Sequence, residues 1–332
     1  MLTGQESTRL GAVPITTHTG VTANAYLRWL HTQGMSPVGG VGVGEPFEGG
    51  EPGWLQGNSE LHASRNASAT CISALTQMQG LGAPAENNSK GCSAVTRISP
   101  VGLFAAEMRG VDDQMVFRYG SDLAGLTDGH PTAKLAAGAF AVLIFRLARG
   151  ENLDGALSIV KRSLEPHREH GELMHAIEAA EQAGRSGERA VDAIPNLGRG
   201  WVAHETLAIG IFCAMAAVSF ADGVVMAVNH DGDSDSTGAI TGSILGAALG
   251  VDDIPGSWLQ PLELRNVIAE IADDLYEYRQ CALTTTAGAT TRLNTSGEST
   301  RGSSSSASIA CAKAAKYKAI VRTRADVRKR IL

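Results

Sequence analysis

Residues 229–250 read NHDGDSDSTGAITGSILGAALG. Three aspartates, Asp231, Asp233 and Asp235, fall within five positions, and a run of small residues follows at once. Gly238, Gly242, Gly246 and Gly250 recur every four residues, which places them on one face of a helix. Each glycine in a helix interior costs about 1 kcal/mol relative to alanine. That cost makes sense where another helix packs very close to a smooth face. The stretch therefore predicts a central helix packed on other helices, with an acidic loop fixed at its start.

The rest of the chain supports a helical reading. Residues 130–149, HPTAKLAAGAFAVLIFRLAR, have Pro131 at a first helical position and Gly150 as a stop. Residues 200–220 are almost wholly apolar, the mark of a buried helix. Further helices are expected over 24–33, ended by Gly34, and over 59–78, with Leu61, Ile72 and Leu75 facing in. Residues 153–183 fit one long helix or two short ones, and 261–278 carry apolar residues at helical spacing. Residues 37–58 and 80–97 read as loops, and 1–22 as irregular. Strand signals are scarce, so the fold class is all-α, a single compact multi-helix domain over 23–280. Residues 281–308 are low-complexity and read as a disordered linker, and 309–332 as a basic helical tail.

Composition narrows the function classes. Of 332 residues, 43% are hydrophobic and 19% charged, enough for a sizeable core. The net charge of −6 argues against a nucleic-acid binder. From Arg301 onward nine Lys/Arg face one Asp, so that tail carries +8 and the remainder −14. A solvated tail is the expected reading of that segment, ahead of a contact with nucleic acid. The five cysteines are scattered without a CxxC pair, which fits free thiols in a reducing cytoplasm. The apolar stretches 135–147 and 207–218 are too short or too interrupted to span a membrane. The chain is expected to act as a monomer, away from membranes.

Three carboxylates set this close repel one another unless a cation sits between them. Asp233, Asp235 and Ser236 are short oxygen donors suited to Mg²⁺ or Mn²⁺. An EF-hand is excluded, because its sixth position would be Ser236 rather than Gly and its twelfth Gly242 rather than Glu. On residue types alone, a solvated turn capping the next helix stands beside the metal reading.

The stretch NHDGDSDSTGAITG resembles the signature of the ADP-ribosylglycohydrolase family, written H-x-G-D-x-D-[ST]-x-G-A-I. Other blocks resemble the family in the same order: AYLRWLHTQG at 25–34, GWLQGNSELHASRNASATCISAL at 53–75 and NNSKGCSAVTRISPVGLF at 87–104. LTDGHPTAKLAAGAF at 126–140, LGRGWVAHETLAIGIFCAM at 197–215 and IPGSWLQPLELRNVIAEIADDL at 254–275 complete the series. The resemblance implies an all-α hydrolase that frees ADP-ribose from a protein side chain or small acceptor with the help of two Mg²⁺ or Mn²⁺ ions. It further implies metal ligation by Asp233, Asp235 and Ser236. It also implies that Ser89, Lys90, Gly91, Cys92 and Ser93 cradle the diphosphate with backbone N–H groups, a task that suits a Gly-containing nest.

The family also has an earlier acidic segment and a T-D-D-T helix start that complete its metal spheres. Before Ala25 this sequence has one acidic residue, Glu6. The resemblance thus implies a chain that begins inside the family domain and keeps one metal site, with its catalytic acidic residues unassigned. Asp112 and Asp113 resemble a D-D-x-M motif but stand in a segment that varies in the family, and the pairs at 252–253 and 273–274 read as surface. Residues 65–68, Ser93, Thr96 and Asp128 depart from the family pattern. Two functions follow: an ADP-ribosyl hydrolase, or a catalytically inactive relative that retains at most ADP-ribose binding.

Overall fold

The computed structural model describes residues 8–10, 13–15, 17–41 and 54–288. A short antiparallel hairpin, β1 (Thr8–Leu10) and β2 (Val13–Ile15), precedes the helices. The helices follow as α1 (His18–Thr32), α2 (Ala69–Thr76), α3 (Ser93–Thr96), α4 (Ser99–Ala106), α5 (Asp113–Ala124), α6 (Pro131–Ala148) and α7 (Leu153–Leu164). Then come α8 (Gly171–Ser186), α9 (Ala190–Leu197), α10 (Ala203–Ala216), α11 (Phe220–Val228), α12 (Ser234–Leu249), α13 (Gly256–Leu259) and α14 (Arg265–Gly288). The all-α class stands. The chain divides into one unit over Met1–Arg279 and another over Gln280–Leu332, the latter described only to residue 288. Most of the expected linker and the whole basic tail lie outside the described residues, although 281–288 are helical as the end of α14.

Helix α6 is the axis of the first unit. Pro131 opens it, His130 caps it through its ring, and Gly150 follows it at φ +86°. Nearly every side chain from Thr132 to Leu147 is buried, against α4, α5, α7, α10 and α12. It is apolar and long enough, by composition, to cross a membrane, but 78% of it is buried inside the protein, so core packing accounts for its apolarity. Helix α5 lies close against it: a Cβ on Gly120 would stand 2.7 Å from the Ala137 carbonyl oxygen.

The glycine face of α12 behaves as its sequence predicts at one end only. A Cβ on Gly238 would stand 2.7 Å from Val228 on α11, but one on Gly242 or Gly246 would meet its neighbours at ordinary contact distance. These glycines are half-buried, and the buried face of α12 is Thr237, Ile240, Thr241, Ile244 and Leu245. The tightest approach comes from the opposite partner, Gly210 of α10, whose Cβ would fall 2.3 Å from Ile240. Helix α12 is therefore packed between α10 and α11 with one side toward solvent.

Several expected boundaries move. Helix α1 starts at His18, where the Thr17 side chain accepts from the Gly20 N–H, so the irregular segment is shorter than expected. The helix expected over 59–78 survives only as α2, after a single 3₁₀ turn at Ser59–His62. Asn66 between them sits at φ 55°, a left-handed conformation that cannot continue a right-handed helix. Residues 153–183 form two helices, α7 and α8. The helix expected from 261 starts at Arg265, after Leu264 at φ 57°. Between residues 265 and 276 none of its apolar residues is buried, with Ile268 at 52% and Tyr276 at 47% exposure.

Candidate active site

The site is built on a turn, Gly198-Arg199-Gly200, between α9 and α10. Glu205 in the first turn of α10 holds it, its carboxylate accepting from the Arg199 and Gly200 N–H groups at 3.1 Å each. Gly198 and Gly200 have φ of 124° and 76°, values that side-chain-bearing residues seldom adopt. Two segments dock on this turn. The Arg199 carbonyl accepts from the Asp233 N–H at 2.8 Å, which places the aspartate loop. Gly232 lies against the same carbonyl, where a Cβ would come within 2.1 Å. Just beyond, Gly91 and Val202 form an antiparallel bridge, with Cys92 N–H donating to Trp201 O and Ala203 N–H to Lys90 O.

One turn thus brings residues 89–93 against residues 233–236. The join is direct: the Cys92 thiol donates to Asp233 Oδ2 at 2.7 Å. Burial, and then the Asp233 carboxylate, push the Cys92 thiol up to about 12. Asp233 is 7% exposed. The carboxyl of Asp235 shares a hydrogen bond with it, and that contact, aided by burial, raises Asp235 above the usual carboxylate range. Two like charges competing for one place have this effect. Ser236 is half-buried and faces the Cys92 thiol. Asp235 remains largely open to solvent, and Asp231 is fully on the surface. Thr237 secures the start of α12, donating to the Ala227 carbonyl and lying 2.9 Å from His230 Nε2.

The loop at 89–93 is tied down more firmly than a bare nest. Ser89 N–H donates to Asn87 Oδ1, Gly91 N–H to Ser89 Oγ, and Cys92 N–H to Trp201 O. Among the described residues, the N–H groups of Lys90 and Ser93 are left without a protein acceptor. Behind the loop lies Asp128, fully buried, accepting from the Ser89 and Thr127 hydroxyls at 2.8 and 2.7 Å. Arg97 donates to Thr127 Oγ1 and to the Ser93 carbonyl, so a cation faces the buried carboxylate through one hydroxyl. In the sequence Asp128 was visible only as a departure from the family pattern. Its role depends on contacts 39 positions away, which no local spacing reveals. Glu205 and the exposed indole of Trp201 were likewise absent from the expected site residues.

Lys90 leans on α8. Its ammonium donates to Glu172 Oε1 at 2.6 Å, while Thr132 Oγ1 donates to Oε2 at 2.7 Å. Lys90 first, then Thr132, hold the Glu172 carboxyl down at about 2. His204 Nε2 lies 3.6 Å from the same carboxylate, and burial lowers that imidazole. A carboxylate depressed below its ordinary value of 4.5 stabilises the fold above that pH, and the contribution is lost as pH falls toward about 2. Glu172 is 41% exposed, so the effect at neutral pH is small, below about 1 kcal/mol. Glu172→Gln is therefore expected to unfold at a slightly lower temperature than the parent at pH 7, with the gap narrowing below pH 4.5 and closing as pH falls to about 2. A gap unchanged with pH in thermal unfolding would contradict this.

Asp112 and Asp113 prove structural. Asp112 caps α5, accepting from Met115 N–H, and Asp113 pairs with Arg146 of α6. The pairs at 252–253 and 273–274 are exposed. Among the described residues, no group of three or more His, Cys, Asp or Glu side chains is placed to hold a metal ion.

A sequence profile of ADP-ribosylglycohydrolase matches residues 7–283, most of the chain. The chain belongs to the ADP-ribosylglycohydrolase family. Its sequence is 27% identical over 143 residues to an ADP-ribosyl-[dinitrogen reductase] glycohydrolase of Rhodospirillum rubrum, covering 43% of this chain and 42% of that one. It is 30% identical over 190 residues to an uncharacterized protein of Archaeoglobus fulgidus, 57% of this chain and 59% of the other. An ADP-ribosylarginine hydrolase, Tri1, of Serratia proteamaculans is 32% identical over 94 residues, 28% of this chain and 25% of that one. The chain thus spans less than two thirds of the length of each of these relatives. A solved ADP-ribosylglycohydrolase-related protein complex shares the fold, with a TM-score of 0.53 at 24% identity over 80% of this chain and 82% of that one. In this family member, the two segments expected to serve metal and diphosphate meet through Cys92 and Asp233.

Proposed function

We propose that the protein hydrolyses the glycosidic bond joining ADP-ribose to a protein side chain or small acceptor, with one Mg²⁺ or Mn²⁺ held by Asp233, Asp235 and Ser236. The observation that carries the reading is the contact of Cys92 with Asp233, which sets residues 89–93 against the aspartate loop. The donors suit a hard cation: two carboxylates already crowd one another, and a hydroxyl stands beside them. They suit one ion rather than two. A cation there would anchor ribose hydroxyls and polarise a water.

The residues of the chain do the rest. The Lys90 ammonium, steadied by Glu172, places positive charge at the loop, and the open N–H groups of Lys90 and Ser93 suit phosphate oxygens. Asp128 and Arg97 hold that loop from behind. The substrate is an ADP-ribosylated protein or small molecule, and the working form is a cytoplasmic monomer with its catalytic unit over 23–280.

A second reading, ADP-ribose binding without hydrolysis, is favoured because no group of three or more His, Cys, Asp or Glu side chains among the described residues is placed to hold a metal ion. Calorimetric titration tests the shared part of both. ADP-ribose is expected to bind with a dissociation constant at or below about 1 mM, more tightly with Mg²⁺, and Asp235→Ala is expected to remove the Mg²⁺ effect. No heat from either ligand at that level overturns both readings.

A further inference from the structure

A concave surface lies between α5 and α7, lined by none of residues 89–93 or 233–236. It is a groove of about 690 Å³ lined by Gln114, Phe117, Arg118, Ser121, Arg162 and His167, among others. None of its lining residues belongs to the candidate active site. Its volume falls in the range usual for small-molecule sites. The floor is Phe117, 4% exposed, with the His167 ring stacked on it at 4.7 Å and 18°.

The charges of the groove are unevenly used. Both of its carboxylates are committed, Asp113 to Arg146 and Asp122 to His18. Neither Arg118 nor Arg162 has an ion-pair or hydrogen-bond partner among the described residues; Arg118 lies only over the Tyr119 ring, at 6.0 Å. Arg146 offsets Asp113, whereas His18 beside Asp122 is charged only if protonated; two guanidiniums against one uncompensated carboxylate still leave a positive field there. Guanidinium presents donors in a planar fork that matches phosphate oxygens in pairs. The Ser121 hydroxyl adds a donor on the same wall, and the outer face of the His167 ring offers a plane for a flat ring.

We propose that this groove binds a phosphate-bearing small molecule of nucleotide size, with Arg118 and Arg162 on the phosphate and His167 beneath the ring. The inference stands apart from the proposed hydrolytic site and does not depend on it. The full chain is titrated with AMP and separately with inorganic orthophosphate, at low salt. Saturable AMP binding in the millimolar range is expected, with a component that Arg118→Ala/Arg162→Ala weakens at least about tenfold. Asp235→Ala retains that component, which separates it from binding at the candidate active site. Both arginines are exposed, so the double variant is expected to fold, as circular dichroism would verify. Orthophosphate is expected to compete with AMP but to bind more weakly, since it makes no ring contact. A matched variant, Arg109→Ala/Arg149→Ala, removes the same charge outside the groove and is expected to bind AMP as the parent does. The proposal is overturned if AMP does not saturate by about 10 mM, or if both double variants weaken it equally.

Discussion

Asp233→Asn is expected to lower release of ADP-ribose from an ADP-ribosylated substrate by at least about a hundredfold, with the fold intact. Loss of a group that merely orients a metal ligand already costs 10–100-fold, and loss of the ligand charge itself costs more. Asp233 has a particular claim to this effect. It is 7% exposed, its N–H is fixed by Arg199, and its carboxylate meets both Cys92 and Asp235. Asparagine keeps the shape and an acceptor for the Cys92 thiol, so the structural cost stays near that of one hydrogen bond, about 1 kcal/mol. The variant also relieves the crowding that raises Asp235, and in it Asp235 returns toward the usual carboxylate range. Steady-state release together with circular dichroism separates loss of chemistry from loss of fold. A variant within about threefold of the parent would remove Asp233 from the mechanism.

Phe140→Ala is expected to destabilise the first unit by about 3–5 kcal/mol. Phe140 is fully buried near the middle of α6, the helix that touches most of its neighbours. Truncation removes a large apolar side chain and leaves a cavity in a helix already packed close to α5 at Gly120 and Gly138, which limits collapse around it. Against a total stability of about 5–15 kcal/mol this is a large fraction. Thermal unfolding should drop by roughly 10 °C for a unit of this size. A loss below about 1 kcal/mol in urea unfolding would show that α6 is not the core it appears in its burial.

The helices that carry their own signals were legible in the sequence. Pro131 and Gly150 bracket α6, and its unbroken apolar run has no use outside a core. The aspartates of 231–235 and the start of α12 were legible for the same reason: residue types and spacing were local. The end of the packing argument was not. The glycine row predicted one close partner along its length, whereas the close contacts are single points, Gly238 on Val228 and Gly210 on Ile240. Asn66 and Leu264 at positive φ break helices that periodicity alone continues, because neither residue type announces that conformation. In the site, Asp233, Asp235 and Ser236 could be chosen from spacing. Asp128, Glu205 and Glu172 could not, since each acts through partners brought near only by folding: Ser89, the Gly198–Gly200 turn and Lys90. The cradle at 89–93 was legible as a loop, but the bridge to Val202 that uses part of its N–H groups was not.

The most direct test of the account is release of ADP-ribose from an ADP-ribosylated arginine, the linkage named for one relative, Tri1. The full chain is assayed with Mg²⁺ or Mn²⁺, with chelator in place of metal, and as Asp235→Ala. The account predicts turnover that needs the metal and falls at least about a hundredfold in the variant. ADP-ribose release that persists at the same rate in chelator and in Asp235→Ala, or no release from arginine, serine or small-acceptor linkages at any metal concentration, would contradict it.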